Sequence, residues 1–272
     1  MISKIVWDLD PRLFPSVEFL RWYGVIWVLG LLLGYRLVRH VYKKEEITTP
    51  HLDKLTNYLF FGILVGARLG HILFYDPVYY FYHPIEILPI RLEPKFEFTG
   101  LSGLASHGGI LGALIALFLY QRKYRIDALW TLDRLVIGGS LLGGFIRLGN
   151  LMNSEIIGTP TSNSWGFVFI HVDNIPRHPA QLYEALFYFL TALLLYQLWK
   201  GTHLQMKKGF LFGLCIALIF TQRFLIEFVK ENQVQFEEGL LLNMGQTLSI
   251  PLILVGVGFM VKAITKRCSP PT

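Results

Sequence analysis

Apolar stretches close to the length of a membrane span recur seven times along this chain, and that recurrence leaves few folds open to it. They fall at about 19–39, 53–74, 104–120, 129–148, 180–199, 209–229 and 244–262, divided by clusters of charge or proline. The third is short, and polar residues interrupt the third and fourth. Only 16% of residues are charged and 53% are hydrophobic, whereas soluble domains carry about 25% charge. The expectation is an all-α polytopic membrane protein of seven transmembrane helices, forming one integral-membrane domain over 1–272. The run from near Leu20 lacks a small-residue cleavage pattern and reads as the first membrane helix, not as a removed signal peptide.

An odd number of spans puts the termini on opposite sides. Basic clusters follow spans one, three, five and seven: Arg39 to Lys44, Arg122 to Arg125, Lys200 to Lys208, and Lys262 to Arg267. They share one side, which the positive-inside rule makes cytoplasmic. The other side is richer in acid, with Asp8, Asp10, Glu86, Glu93, Glu97, Asp173, Glu237 and Glu238. The N-terminus is therefore expected outside and the C-terminus in the cytoplasm. The outer segments 75–103 and 149–179 are long enough to build a small periplasmic cap. Within the second, Trp165 to Ile170 has the aromatic and β-branched composition of a short strand.

The net charge of +6 lies mostly between apolar stretches, which fits topology and not nucleic-acid binding. Cys215 sits in an apolar run as a small filler, and Cys268 lies in the tail. The pair gives neither a disulfide framework nor a metal site. The histidines are scattered, with no HExxH, no P-loop, no dinucleotide fingerprint and no GxSxG elbow. No metal and no cofactor are expected.

Ionisable groups at membrane depth are expensive and normally serve a function or pair tightly. Arg21-Trp22-Tyr23-Gly24 opens the first span; Arg21 and Trp22 suit an interface anchor, while the Tyr23 hydroxyl can orient a lipid head or a catalytic group. Ser106-His107-Gly108-Gly109 opens the third span, and His107 there is either structural or a base titrating near neutrality. The densest stretch is Gly143–Gly158. In it Arg147, Asn150 and Asn153 recur every three residues, with Glu155 close behind, so a helix would put the first three on roughly one face. An arginine among amides and glycines can cradle a phosphate; the plainer alternative is an Arg–Glu lock between helices. Arg223 and Glu227 have ion-pair spacing near the outer end of span six. His178, Gln181, Tyr183 and Glu184 add a ring nitrogen, an amide, a phenol and a carboxylate at the mouth of span five. Gly245-Gln246 plays a similar part before span seven. Asp133 and Arg134, nearer the inner end of span four, read as structural partners for another helix.

In these motifs the chain resembles the prolipoprotein diacylglyceryl transferases. The resemblance runs from Arg21-Trp22-Tyr23-Gly24 through Gly66-Ala67-Arg68-Leu69-Gly70, His107-Gly108-Gly109 and the whole Gly143–Gly158 motif. It continues through His178-Pro179, Gln181-Leu182-Tyr183-Glu184 and Arg223-x-x-x-Glu227 to Gly245-Gln246-Thr247. A lone HGG is weak, but these motifs in order on seven spans are specific. The resemblance implies an inner-membrane enzyme with a periplasm-facing active centre. It would move the sn-1,2-diacylglyceryl group of phosphatidylglycerol to the lipobox cysteine of a prolipoprotein that still carries its signal peptide. Glycerol phosphate would be released. It implies catalytic roles for Arg147, Arg223, His107 and Tyr23. It implies lipid or substrate contacts for Asn150, Asn153, Glu155, Glu227, His178, Gln181, Tyr183, Gln246 and Arg68. The arginines would stabilise the departing phosphate, His107 would be the base, and Glu155 and Glu227 would hold the arginines. The nucleophile belongs to the substrate. Two departures touch substrate recognition more than chemistry. After Glu227 the chain reads Phe228-Val229-Lys230-Glu231-Asn232-Gln233, where relatives often have an arginine and an acid-rich Pro-Asp turn, and the segment 75–103 is individual. Two other classes also place arginines at depth, a lipid transporter and a structural membrane scaffold. A scaffold would tolerate lysine at position 147, where a bidentate phosphate site would not.

Overall fold

The computed structural model describes residues 4–16, 20–47, 49–88, 90–91, 96–98, 103–231 and 242–265. Glu93, Asn232, Gln233, Glu237, Glu238 and Cys268 lie outside the described residues, as does the side chain of Glu97. The helices are α1 (Trp22–Lys44), α2 (Thr49–Phe74), α3 (Pro77–Tyr82), α4 (Ser106–Tyr124), α5 (Ala128–Met152), α6 (Ala180–Gly201), α7 (Phe210–Ile226) and α8 (Met244–Thr265). The protein is a polytopic, essentially all-α membrane protein. Five of these helices (α1, α2, α5, α6 and α8) are long and apolar enough to cross a bilayer by length and composition. Of the other two expected spans, α7 has only 17 residues, and α4 has 19 with Arg122 and Lys123 in its last turn.

The chain divides into two compact units, residues 42–128 and the remainder. In the larger unit, helices cross where glycines face each other. A Cβ on Gly34 of α1 would lie 2.8 Å from the Gly138 carbonyl of α5, and one on Gly213 of α7 would lie 2.6 Å from the Gly256 carbonyl of α8. With no hydrophobic drive between helices in lipid, such close backbone approach supplies the packing. An apolar core of Val41, Ile137, Leu195, Leu211 and Cys215 fills the end away from the site, and the Ser140 hydroxyl lies 3.3 Å from the Cys215 sulfur.

Asp133 does what a buried carboxylate at depth should do. It accepts from the Gly209 amide at 2.7 Å and the Phe212 amide at 2.8 Å, so a residue of α5 caps the N-terminus of α7. Arg134 stacks over Trp130, 4.6 Å from the ring centre.

Beyond the C-terminal end of α5 the chain builds a small sheet. β1 (Ile5–Trp7) pairs in parallel with β4 (Phe167–Phe169), and β4 pairs antiparallel with β5 (Pro176–Arg177). The expected strand at 165–170 is thus present in its middle three residues. Phe167 and Phe169 bury against Leu151, Ile157, Trp7 and Leu182, which ties this sheet to the end of α5 and the start of α6.

In the smaller unit α2 and α4 pack through Gly62, Gly66, Gly108 and Gly112; a Cβ on Gly66 would lie 2.8 Å from the Gly112 Cα. α3, a 3-10 turn at Pro84–Ile87, and the short hairpin β2 (Ile90–Arg91) with β3 (Glu97–Phe98) follow α2.

Candidate active site

In the larger unit the site forms where α5 ends, α6 begins, α7 ends and α8 begins. A three-ply backbone ladder holds these ends together. The Gly158 amide donates to the His178 carbonyl at 3.0 Å, and the His178 amide donates to Thr159 at 3.0 Å. On the other side the Thr159 amide donates to Val229 at 2.9 Å, and the Glu231 amide donates to Ile157 at 3.2 Å. Gly158 sits between both neighbours. A Cβ there would meet the His178 oxygen at 2.5 Å and the Val229 oxygen at 2.6 Å, so the position admits no side chain.

The ladder delivers Lys230 into a charged cluster. Arg147 of α5 lies 3.2 Å from Glu184 of α6, whose side chain is 2% exposed. Lys230, 7% exposed, lies 3.9 Å from Glu184 and 3.4 Å from Glu227. Glu227 in turn pairs with Arg223 at 3.8 Å and accepts from the Asn243 amide at 3.0 Å. Among the described residues three cations therefore share two carboxylates, one positive charge in excess. Arg223, with 47% of its side chain exposed, is the cation least enclosed by the protein. Tyr188, one turn beyond Glu184 on α6, packs on α5 at Gly143, where a Cβ would lie 2.6 Å from its ring. At the start of α8, Asn243 and Gln246 bond reciprocally, backbone to side chain, at 2.8 and 3.1 Å. This capping box orients Asn243 toward Glu227. Gly245 leaves room for that carboxylate, since a Cβ there would lie 2.5 Å from Glu227 Oε1.

Around this cluster the other expected residues take up distinct posts. The Tyr23 ring lies over Gly149, where a Cβ would come within 2.8 Å of it; this brings Tyr23 to the same turn of α5 as Arg147 and Asn150. Asn150 and Asn153 donate to the Glu155 carboxylate at 3.4 and 3.0 Å, and Gln181 donates to the Glu155 carbonyl at 2.5 Å. The Tyr183 hydroxyl accepts from the Trp165 indole at 3.0 Å and lies 3.3 Å from His178 Nδ1. Arg177 on β5, 9% exposed, grips Asp173 through two contacts at 2.9 and 2.6 Å, Glu231 at 3.1 Å and the Gly158 carbonyl at 3.3 Å. The guanidinium holds the Asp173 carboxyl below its ordinary range, chiefly by hydrogen bonding.

His107 and Arg68 belong to the smaller unit. His107 is exposed in the first turn of α4. Arg68 braces its own unit: its guanidinium donates to the carbonyls of Glu86 at 2.5 Å, Ile87 at 2.9 Å and Gly103 at 3.4 Å, and lies over the Tyr80 ring.

A family model described as prolipoprotein diacylglyceryl transferase matches residues 13–262. The chain belongs to that family. Its relatives include a phosphatidylglycerol--prolipoprotein diacylglyceryl transferase of Bacteroides fragilis, 48% identical over 264 residues that cover 96% of this chain and 95% of that one. The protein of the same name from Tolumonas auensis is 47% identical, covering 97% and 99%. One from a Wolbachia of Culex pipiens is 36% identical, covering 98% and 97%.

Two pairings in the cluster go beyond the sequence reading. The carboxylate facing Arg147 is Glu184; the sequence offered Glu155, which is engaged by amides instead. Lys230, legible only as a departure from an expected arginine, bridges both buried carboxylates. Glu184 was legible as a carboxylate at the mouth of span five, but its partner was not.

Proposed function

We propose that this member of the family transfers the sn-1,2-diacylglyceryl group of phosphatidylglycerol to the lipobox cysteine thiol of prolipoproteins, releasing glycerol phosphate. The observation that carries this reading is the cluster of Arg147, Lys230 and Arg223 over Glu184 and Glu227, with its excess positive charge at the ends of four helices. The sulfur attacks the sn-3 carbon of the diacylglyceryl moiety, the carbon–oxygen bond to phosphate breaks, and a thioether forms. The departing phosphate gains negative charge. Preorganised guanidinium and ammonium groups stabilise that charge more in the transition state than in the donor lipid. The carboxylates fix the cations before the lipid arrives. The thiol proton goes to a base, the role the family resemblance gives to His107, and Tyr23 orients the lipid from beside Gly149.

The charge bias of the loops supports seven spans in the bacterial inner membrane, N-terminus outside and C-terminus in the cytoplasm. On that orientation the charged cluster faces the periplasm, where an exported prolipoprotein presents its cysteine. The segments 75–103 and 149–179 then lie on the same outer side.

The test is transfer from phosphatidylglycerol to a lipobox peptide by purified protein in vesicles. Arg147→Lys keeps the charge but loses the planar fork, and the expected loss is about 100-fold in kcat/KM. Absence of thioether product from folded wild-type protein overturns the assignment; undiminished transfer by the variant overturns the arginine's role.

A further inference from the structure

The smaller unit carries a long apolar groove that none of the site residues line. It runs along α2 from about position 57 to 69 and along α4 from 112 to 119, with a volume of about 510 Å³. Gly62 and Gly112 form its floor, where a Cβ on Gly62 would lie 2.7 Å from the Gly112 carbonyl oxygen. Phe61 and Val65 stand on one wall, Ile115 and Leu119 on the other, and all four are exposed. α2 is long and apolar enough to cross a bilayer, so the groove opens to lipid.

One end of the groove is charged. Tyr58 closes the lining there and packs edge-on against Tyr124, with 6.2 Å between ring centres. Two ammonium groups rest on that Tyr124 ring, Lys54 Nζ at 5.0 Å and Lys123 Nζ at 5.8 Å from its centre. Arg122 lies over Phe118 at 5.7 Å. Lys54 comes one turn before Tyr58 on α2, and Arg122 and Lys123 come one turn after Leu119 on α4. The three cations therefore stand just beyond the groove on both helices. None of them pairs with a carboxylate among the described residues. Asp53 is the one acid in these terminal turns of α2 and α4, so their balance is positive.

We propose that the groove holds an acyl chain of an anionic phospholipid whose phosphate sits among Lys54, Arg122 and Lys123. A basic pocket between membrane helices suits such a head, and the apolar walls suit its tail. On the orientation proposed above this lipid belongs to the cytoplasmic leaflet, so it is a resident lipid and not the donor. A signal-peptide helix is the rival occupant of an apolar groove. Its leading segment is basic and would meet three cations of like sign.

The test uses the full chain, purified in detergent and stripped of lipid. Phosphatidylserine and phosphatidylcholine with the same acyl chains, each bearing a diazirine in one chain, are added in turn. Retention is read by native mass spectrometry, and photolabelled peptides are mapped. Label is expected in 57–69 and 112–119. A nearby Lys or Arg favours an anionic lipid by about 5-fold, so phosphatidylserine should be preferred there by on the order of 100-fold. Lys54→Gln combined with Lys123→Gln should cut that preference to about 5-fold. Ile115→Trp fills the groove from an exposed position and should lower labelling by both lipids about 10-fold. Val65→Phe does so from the other wall and serves if the first variant does not fold. Equal labelling by the two lipids, label spread evenly over every lipid-facing helix, or unchanged labelling in both groove variants overturns the proposal. So does a photoactivatable lipobox signal peptide that displaces phosphatidylserine and labels the same segments, since the groove is then a peptide site.

Discussion

Replacing Glu184 with glutamine removes one negative charge from a place that two cations share. The side chain keeps its shape and can still accept a hydrogen bond, so the change is electrostatic. Arg147 lies 3.2 Å away and Lys230 3.9 Å away, and both Glu184 and Lys230 are almost fully buried. At an effective dielectric of about 20, each such pair is worth roughly 4–5 kcal/mol of attraction. Removing the carboxylate's own desolvation cost offsets much of that. Breaking a buried pair by deleting one partner nets about 3–5 kcal/mol of destabilisation, because the remaining charges stay buried without compensation. For a chain of this size that corresponds to a fall in Tm of roughly 6–20 °C. The assay is thermal unfolding in detergent, read by tryptophan fluorescence, alongside transferase rate. A second change, Lys230→Met, should cost less in the Glu184→Gln background than alone, since the two act through one network. A Glu184→Gln protein that melts within 2 °C (roughly 1 kcal/mol or less) of its parent and retains full activity would refute the view that Glu184 organises the cations.

Further outcomes follow from the backbone ladder and the sheet above it. Gly158→Ala places a methyl group against two carbonyl oxygens, so the ladder should open; protease susceptibility near 157–159 should rise and transfer should fall by at least about 10-fold, in line with 1–3 kcal/mol of overpacking. Arg177→Ala removes the contacts to Asp173, Glu231 and Gly158. It should loosen Lys230 as well as the sheet, which hydrogen exchange in 167–178 and 229–231 would read as faster together. The Asp173 carboxyl is held below its ordinary value of 3.8. Its contribution is therefore full above 3.8 and fades as pH falls through the lower folded value. Protection factors in 167–178, corrected for the intrinsic pH dependence of exchange, should match at pH 5 and pH 7 and fall only below 3.8, and Asp173→Asn should abolish that transition.

Much of the site was legible one residue at a time. Arg147, Asn150, Arg223 and Glu227 announce themselves as polar groups inside apolar stretches, and the structure places them around one cluster. Pairings between helices were not legible. Helical spacing identifies neighbours three or four residues apart, which is why Arg223–Glu227 could be expected. It carries nothing about which residue of α6 faces Arg147, 37 positions away (147 to 184). Lys230 was hidden for another reason: its burial depends on the ladder through Gly158, a backbone arrangement that side-chain patterns do not encode. The short helix α7 shows the limit of counting spans by apolarity. Its 17 residues sit at the lower end of the length that spans a bilayer, and two of its first amides are satisfied from elsewhere in the chain.

That support is Asp133, and it carries a consequence for biogenesis. The first amides of a helix entering lipid have no partners of their own. α7 receives two of its bonds from a carboxylate on α5, 76 and 79 residues earlier in the chain. During synthesis α5 leaves the ribosome first and waits with its carboxylate in place. When α7 follows, its exposed end meets a partner already installed. The order of the helices along the chain thus makes the cap before the shortest of the expected spans, and a circular permutant that made α7 before α5 would be asked to insert it uncapped.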